Sequence, residues 1–277
     1  MIKRVGDFTL RWGESLVWDE RRSRLYFVDT LGHKLCWLEE GQDSPHVLDC
    51  EQMPSGVVLD EAGDLVVTGD DGLYRVDVDR NVWTLLSRYP QRLGGRCNDL
   101  CADLSGNLIT GRLNIGPGEG SAWWCSTIGE WRLLDDDIAN TNGPTVAELD
   151  GVMTLIIGDS WVPRYYRYDY EPATGTVGPR TVFADVAGFG PDGADGIPDG
   201  ATLDSEGGLW CALPRSGCLV RFTTQGFDRR IDLPFPNPTD VTFGGANLDR
   251  LYVVAVNDGL YVLDGVGQGR LEPRFAG

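Results

Sequence analysis

Four oxygen-bearing side chains stand at comparable places in this sequence, each among residues that bend the backbone. They are Glu14 in Trp12-Gly-Glu-Ser15, Asn98 in Gly95-Arg-Cys-Asn-Asp99, Asn142 in Thr141-Asn-Gly-Pro-Thr145 and Asp199 in Ile197-Pro-Asp-Gly200. Two carboxylates and two amide oxygens form a hard-oxygen set suited to Ca2+, Mg2+ or Mn2+, with water completing the shell. Singly, each reads as a turn or cap residue, and Asn142-Gly143 is a routine turn pair. Recurrence in one register is what points to chemistry. Met53-Pro-Ser-Gly-Val57 and Asn237-Pro-Thr-Asp240 complete the series. Histidines are only two, His33 and His46, so a Ser-His-Asp hydrolase or a His-rich zinc site is hard to build. That scarcity directs hydrolytic chemistry toward oxygen ligands and carboxylate bases.

Composition narrows the partners. The 277 residues carry a net charge of −18, which opposes binding to nucleic acid or to an anionic membrane. The same charge attracts divalent cations without choosing a site for them. No run of about 18 apolar residues spans a membrane. The start, Met1 to Leu10, lacks the apolar core of a signal peptide, so a cytoplasmic protein is expected. The seven cysteines are irregularly spaced, with Cys97 and Cys101 the only close pair, and read as reduced thiols packed as small apolar residues.

The elements that would position the four side chains come from an internal repeat. Its unit is an acidic residue, turn formers, a short apolar strand, a polar turn and another strand. It runs from Asp19, Asp60, Asp103, Asp150, Asp204 and Asn247, at intervals of 41 to 54 residues. A third strand rich in aromatic or β-branched residues follows, as in Lys34–Leu38, Gly72–Val76 and Cys218–Phe222, and then a weaker outer segment such as Asn81–Leu86. Capped helical periodicity is nearly absent, while 37 glycines and 15 prolines supply turns. Six units of four strands make an all-β, six-bladed propeller, a single domain over residues 1–277. A large β-sandwich leaves the repeat unexplained. Gly188–Gly196 reads as an extended loop over one face. In a propeller, segments just ahead of each repeat converge on the central channel, so the four residues can meet at one divalent-metal site.

The chain also resembles the SMP-30/gluconolactonase/luciferin-regenerating-enzyme family. The resemblance rests on Gly13-Glu14 with Val17-Trp18-Asp19, on Arg96-Cys-Asn98-Asp99, and on Asn142-Gly143 with Asp159-Ser160. Pro198-Asp-Gly200 with Leu209-Trp210, and Phe243-Gly-Gly245 before Leu251-Tyr-Val253, extend it over essentially the whole chain. It implies a six-bladed propeller with one divalent cation in the channel (Ca2+ first, with Mg2+, Mn2+, Zn2+ or Fe2+ as alternatives) and hydrolysis of a small lactone. By position, Glu14, Asn142 and Asp199 match direct metal ligands. Asn98 matches a residue that binds metal directly or through water and contacts substrate. Arg96 matches a substrate-binding arginine, and Asp199 also the general base. Glu119, in the segment Asn114–Gly120, matches a substrate-contacting acid. The chain departs from the family at Ser15-Leu16, where Gly-Pro is common, so the local backbone or the pocket wall is expected to differ.

The expected mechanism is metal polarisation of a lactone carbonyl, with Asp199 activating water and Arg96 and Asn98 holding substrate oxygens. Two other readings stand beside it: a phosphotriesterase-like hydrolase on the same site, and a non-enzymatic calcium- or ligand-binding propeller. Most tryptophans read as blade packing, with Trp161 the one placed to face a ligand. Cys97 is expected to pack away from the channel by strand alternation. A monomer or a weak homo-oligomer is expected.

Overall fold

The aspartates that open most repeats organise turns. Asp19, Asp60, Asp103 and Asp204 are buried. Asp60 Oδ1 accepts the N–H of Asp64, Asp103 Oδ1 those of Ser105 and Asn107, and Asp204 Oδ1 those of Glu206 and Gly208. A carboxylate that gathers the N–H groups of the next few residues fixes the hairpin between first and second strands. Arginines of the third strand balance the charge, Arg75 at 2.8 Å from Asp60 and Arg221 at 2.6 Å from Asp204. Asp150 and Asn247, the looser members, are exposed.

In the computed structural model, which describes residues 1–114 and 119–277, these hairpins build six blades. The innermost strands are the second half of Ile2–Asp19, then Val57–Leu59, Cys97–Ala102, Thr141–Leu149, Ala201–Leu203 and Pro238–Gly244. Each contributes to the lining of one central cavity, through Leu16, Val57, Leu100, Thr145, Ala201 and Val241. Hydrogen bonding nevertheless gathers the strands into five sheets. The reason is Ile2–Asp19, whose first half pairs with Arg250–Asp264 and whose second half pairs with Arg24–Asp29. Blades 6 and 1 thus share a six-stranded sheet, and the two ends of the chain close the ring together.

Apolar cores lie between the blades, one for each neighbouring pair. Trp210 and Ala212 of blade 5 meet Val241, Phe243 and Val253 of blade 6, and Leu16 and Trp18 of blade 1 meet Tyr252 and Val254. Burying a large side chain in such a core stabilises by about 1.5–3 kcal/mol, so six of them hold a ring whose axis stays polar. Cys97 packs with Leu93 and Trp123, away from the axis as alternation requires, and all seven cysteines are free thiols.

After Asp264 the chain crosses the face where the hairpin turns lie and touches every blade. Gly269 N–H donates to Leu248 O, Ser205 N–H to Gln268 O, and Arg270 to Val146 O. Phe275 N–H donates to Leu59 O and Ala276 N–H to Gly106 O. Arg274 reaches Asp19 at 2.9 Å, Glu20 at 2.7 Å and the carbonyl of Asp60. Asp19 is wholly buried and, if Arg274 is removed, keeps only Arg22, at 3.3 Å, and the Arg21 N–H, at 3.1 Å. Arg274→Ala is therefore expected to destabilise by about 2 kcal/mol, below the loss for a buried pair with no second partner. Thermal unfolding should register a drop of roughly 4–8 °C, and an unchanged midpoint would show that the strap bears no load.

Candidate active site

Hydrogen bonds step from blade to blade around the axis at the end of the channel opposite that strap. Ser15 Oγ accepts Val57 N–H at 2.7 Å, and Ser55 Oγ donates to Cys97 O at 2.7 Å. Asp99 Oδ2 accepts Gly143 N–H at 2.8 Å, Tyr165 Oη donates to Asp199 O at 2.8 Å, and Gly200 N–H donates to Thr239 O at 2.8 Å. Leu16 N–H donates to Asp240 and closes the circle. These contacts order the inner strands into two levels. Glu14, Ser55, Asn98, Asn142, Asp199 and Thr239 form the outer one. One residue further on, Ser15, Gly56, Asp99, Gly143, Gly200 and Asp240 form the inner one.

Strict alternation would turn one level away from the axis, but the ladders slip here. The register shifts between Glu14 and Val17, between Asn142 and Thr145, and between Pro238 and Asp240. Such irregularities re-aim side chains, and both levels contribute polar groups. Ser15 takes the left-handed φ of 51° that glycine tolerates without strain. Its hydroxyl bond to Val57 offsets part of that strain, which is how this chain accommodates a serine after Glu14. At Gly200 a Cβ would lie 2.0 Å from Asp240 Oδ1, so glycine admits that carboxylate to the ring.

Of the residues expected at the site, Asn98 and Asn142 touch directly. Asn98 Nδ2 donates to Asn142 Oδ1 at 2.7 Å and to Thr141 O at 3.0 Å, leaving the Asn98 oxygen unspent by these bonds. Asn142 Nδ2 donates to Ser160 Oγ at 2.5 Å, which sets the amide's orientation. Asp199 is 7% exposed and its backbone is gripped by Tyr165, whose hydroxyl both donates to Asp199 O and accepts Asp199 N–H. Glu14 is partly buried and accepts Trp12 Nε1–H at 2.6 Å.

The electrostatics tie these groups together. Burial and then the charge of Asp199 raise the Glu14 carboxyl well above its usual range, while the Trp12 hydrogen bond pulls the other way. Burial, followed by Asp99 and Asp240, raises Asp199. Burial raises Asp240 too, with Asp99 next. Asp99 is pushed up to about 6 by burial, against the N–H groups of Leu100 and Gly143. The leading opposing influences on the four are backbone N–H groups and an indole, not a basic side chain. Acids that are partly or wholly buried and left in that condition favour protonation or a cation.

Asp99 and Asp240 are the residues that sequence reasoning passed over. Both stand in the segments singled out above, but one position beyond the level that carries Glu14 and Asp199. Ser160 and Tyr165 act through hydrogen bonds that only the folded chain displays. Arg96 sits at the rim, where Nε lies 3.0 Å from Asp70 without alignment for a hydrogen bond and Nη2 donates to Met53 O. Glu119 is exposed, and its carbonyl accepts Arg112 Nη1–H at 3.0 Å. Residues 115–118 of its segment lie outside those described. Trp161 is 42% exposed, beside Ser160, whereas Trp18, Trp123, Trp124 and Trp210 are buried in blades. Among the described residues no three His, Cys, Asp or Glu side chains are grouped to hold a metal, so a ligand set built on Glu14 and Asp199 needs further oxygens such as those of the amides.

Comparison with known proteins places this arrangement among relatives. Residues 12–257 match the model of the SMP-30/Gluconolactonase/LRE-like region. The chain is 31% identical over 258 residues to a pentonolactonase of Haloferax volcanii, covering 91% of this chain and 84% of that protein. Its fold superposes on a luciferin-regenerating enzyme with a TM-score of 0.90 at 24% identity, covering 100% of this chain and 99% of the other. A calcium-binding protein, regucalcin, from Agrobacterium tumefaciens gives a TM-score of 0.86 at 26% identity, covering 97% and 95%.

Proposed function

The chain belongs to the SMP-30/gluconolactonase/LRE-like family, and from that premise we propose that it hydrolyses a small sugar lactone with one divalent cation held by Glu14, Asn142 and Asp199. The observation that carries the proposal is the set Glu14, Asp99, Asp199 and Asp240, whose carboxyls are raised by burial and by one another's charge, together with the hydrogen-bonded amides of Asn98 and Asn142 on the same inner strands. A hard cation fits such donors because it removes the repulsion that burial intensifies. Calcium is the first choice, since the set is all oxygen and a solved relative is described as a calcium-binding protein. The lactonase activity is supported by the pentonolactonase likeness.

When bound, the cation supplies Lewis acidity toward the lactone carbonyl. The protein's own groups do the rest. The Asp199 carboxylate accepts a proton from the water whose oxygen bonds to the carbonyl carbon. The ring C–O bond then breaks, and the same proton passes to the departing oxygen, giving the open hydroxy acid. Tyr165 keeps Asp199 from drifting by holding its backbone on both sides. The Asn98 oxygen is oriented by the amide contacts to Asn142 and Thr141 and accepts a substrate hydroxyl. Arg96, fixed at the rim by Asp70 and Met53, offers its remaining N–H groups to substrate oxygens.

The test is an assay of metal-stripped protein, with and without added calcium, against aldonolactones and a phosphotriester. Calcium-dependent opening of the lactones is expected. Cleavage of the phosphotriester alone would replace the lactonase reading with a phosphotriesterase one, and calcium binding without turnover of either would leave a binding propeller.

A further inference from the structure

We infer that Trp12 is a positioning residue, holding the Glu14 carboxylate in the orientation in which it receives the cation. Trp12 and Trp161 are the exposed members of the tryptophan set, at 39% and 42%, so burial of apolar surface does not account for Trp12. Its indole edge is committed instead: Nε1–H donates to Glu14 Oε1 at 2.6 Å.

The base from which the indole reaches is itself fixed. Asp29, 3% exposed, accepts Arg11 N–H on Oδ2 and Trp12 N–H on Oδ1, both at 2.9 Å. Gly32 N–H donates to the same carboxylate at 2.9 Å, and a Cβ on Gly32 would lie 2.3 Å from Asp29 Oδ2. Trp12 O accepts Thr30 N–H at 2.9 Å. A line of hydrogen bonds thus runs from the buried Asp29 through the Trp12 backbone and indole to Glu14. An ionised carboxylate has about four acceptor positions, so one indole N–H leaves room for a cation on the same group. Partners of this kind orient a ligand before the metal arrives, and their loss typically weakens metal affinity about 10- to 100-fold.

The inference rests on the reading that Glu14 ligates a cation, and the experiment separates the two. Trp12→Phe keeps an aromatic ring and removes the N–H. Calorimetric titration of metal-stripped protein with calcium should show binding at least about tenfold weaker in Trp12→Phe than in the wild type. The unfolding midpoint in chelator should hardly move, because the side chain is half exposed. A second readout is fluorescence: the calcium-induced change in indole emission should be larger in the wild type than in Trp12→Phe, since Trp12 touches the ligand. Equal affinity and equal emission changes in the two proteins would overturn the role of Trp12 while leaving the cation site standing. Failure of the wild type to bind any divalent cation would overturn both.

Discussion

Asp199→Asn should lower lactone turnover about 1,000-fold at saturating calcium while leaving the fold intact. The amide keeps an oxygen that can face the cation but cannot take a proton from water, so the loss is expected in kcat more than in calcium binding. A second consequence separates this residue from a merely structural one. Burial, Asp99 and Asp240 all disfavour a charge at Asp199. Removing that charge should therefore raise the unfolding midpoint in chelator, although a buried, hydrogen-bonded loop has been altered. A variant that is both inactive and more stable identifies a carboxylate retained for chemistry at the expense of stability. Full activity in Asp199→Asn would remove it as the base, and inactivity through unfolding would show that Asp199 supports the blade.

Calcium should stabilise the protein strongly, and more at neutral than at acidic pH. The carboxyls of Glu14, Asp99, Asp199 and Asp240 all have folded-state values raised above the unfolded ones. Raised folded values mean that the folded chain holds more protons than the unfolded chain. The stability this confers on the metal-free protein is present near pH 4 and is lost as pH rises through the folded values, that of Asp99 at about 6. Calcium reverses the loss by taking the place of the protons. At about 1,000 times its dissociation constant, a ligand adds roughly 4 kcal/mol, or on the order of 10 °C in the midpoint of a domain this size. Thermal unfolding with chelator and with calcium at pH 4.5 and pH 7 measures both increments. The increment at pH 7 should exceed that at pH 4.5, and equal increments would place calcium away from these carboxylates.

Much of this was legible before folding because a blade is a local object. Its turn aspartate, its hairpin and its third strand lie within one interval, so the repeat from Asp19 to Asn247 carries the architecture. The candidate level of Glu14, Asn98, Asn142 and Asp199 was proposed for the same reason, since three of them precede their repeat by five residues and Asn142 by eight. Other features depend on contacts between distant parts of the chain. The sharing of Ile2–Asp19 between two blades needs both chain ends in place, and the reach of Arg274 to Asp19 spans nearly the whole sequence. Asp99 and Asp240 were hidden by alternation, which assigns them to the far side of their strands. A register slip beside each lets both line the central cavity instead. The turn aspartates carried the opposite lesson, for the most repetitive acids in the sequence are buried turn organisers and not part of the reactive ring.

The most direct test of the central claim is a crystal structure grown with calcium and recorded at a wavelength where calcium scatters anomalously. One anomalous peak at the mouth of the channel, about 2.3–2.6 Å from oxygens of Glu14, Asn142 and Asp199, is the expected result. No peak there, or a peak held by surface acids alone, contradicts it.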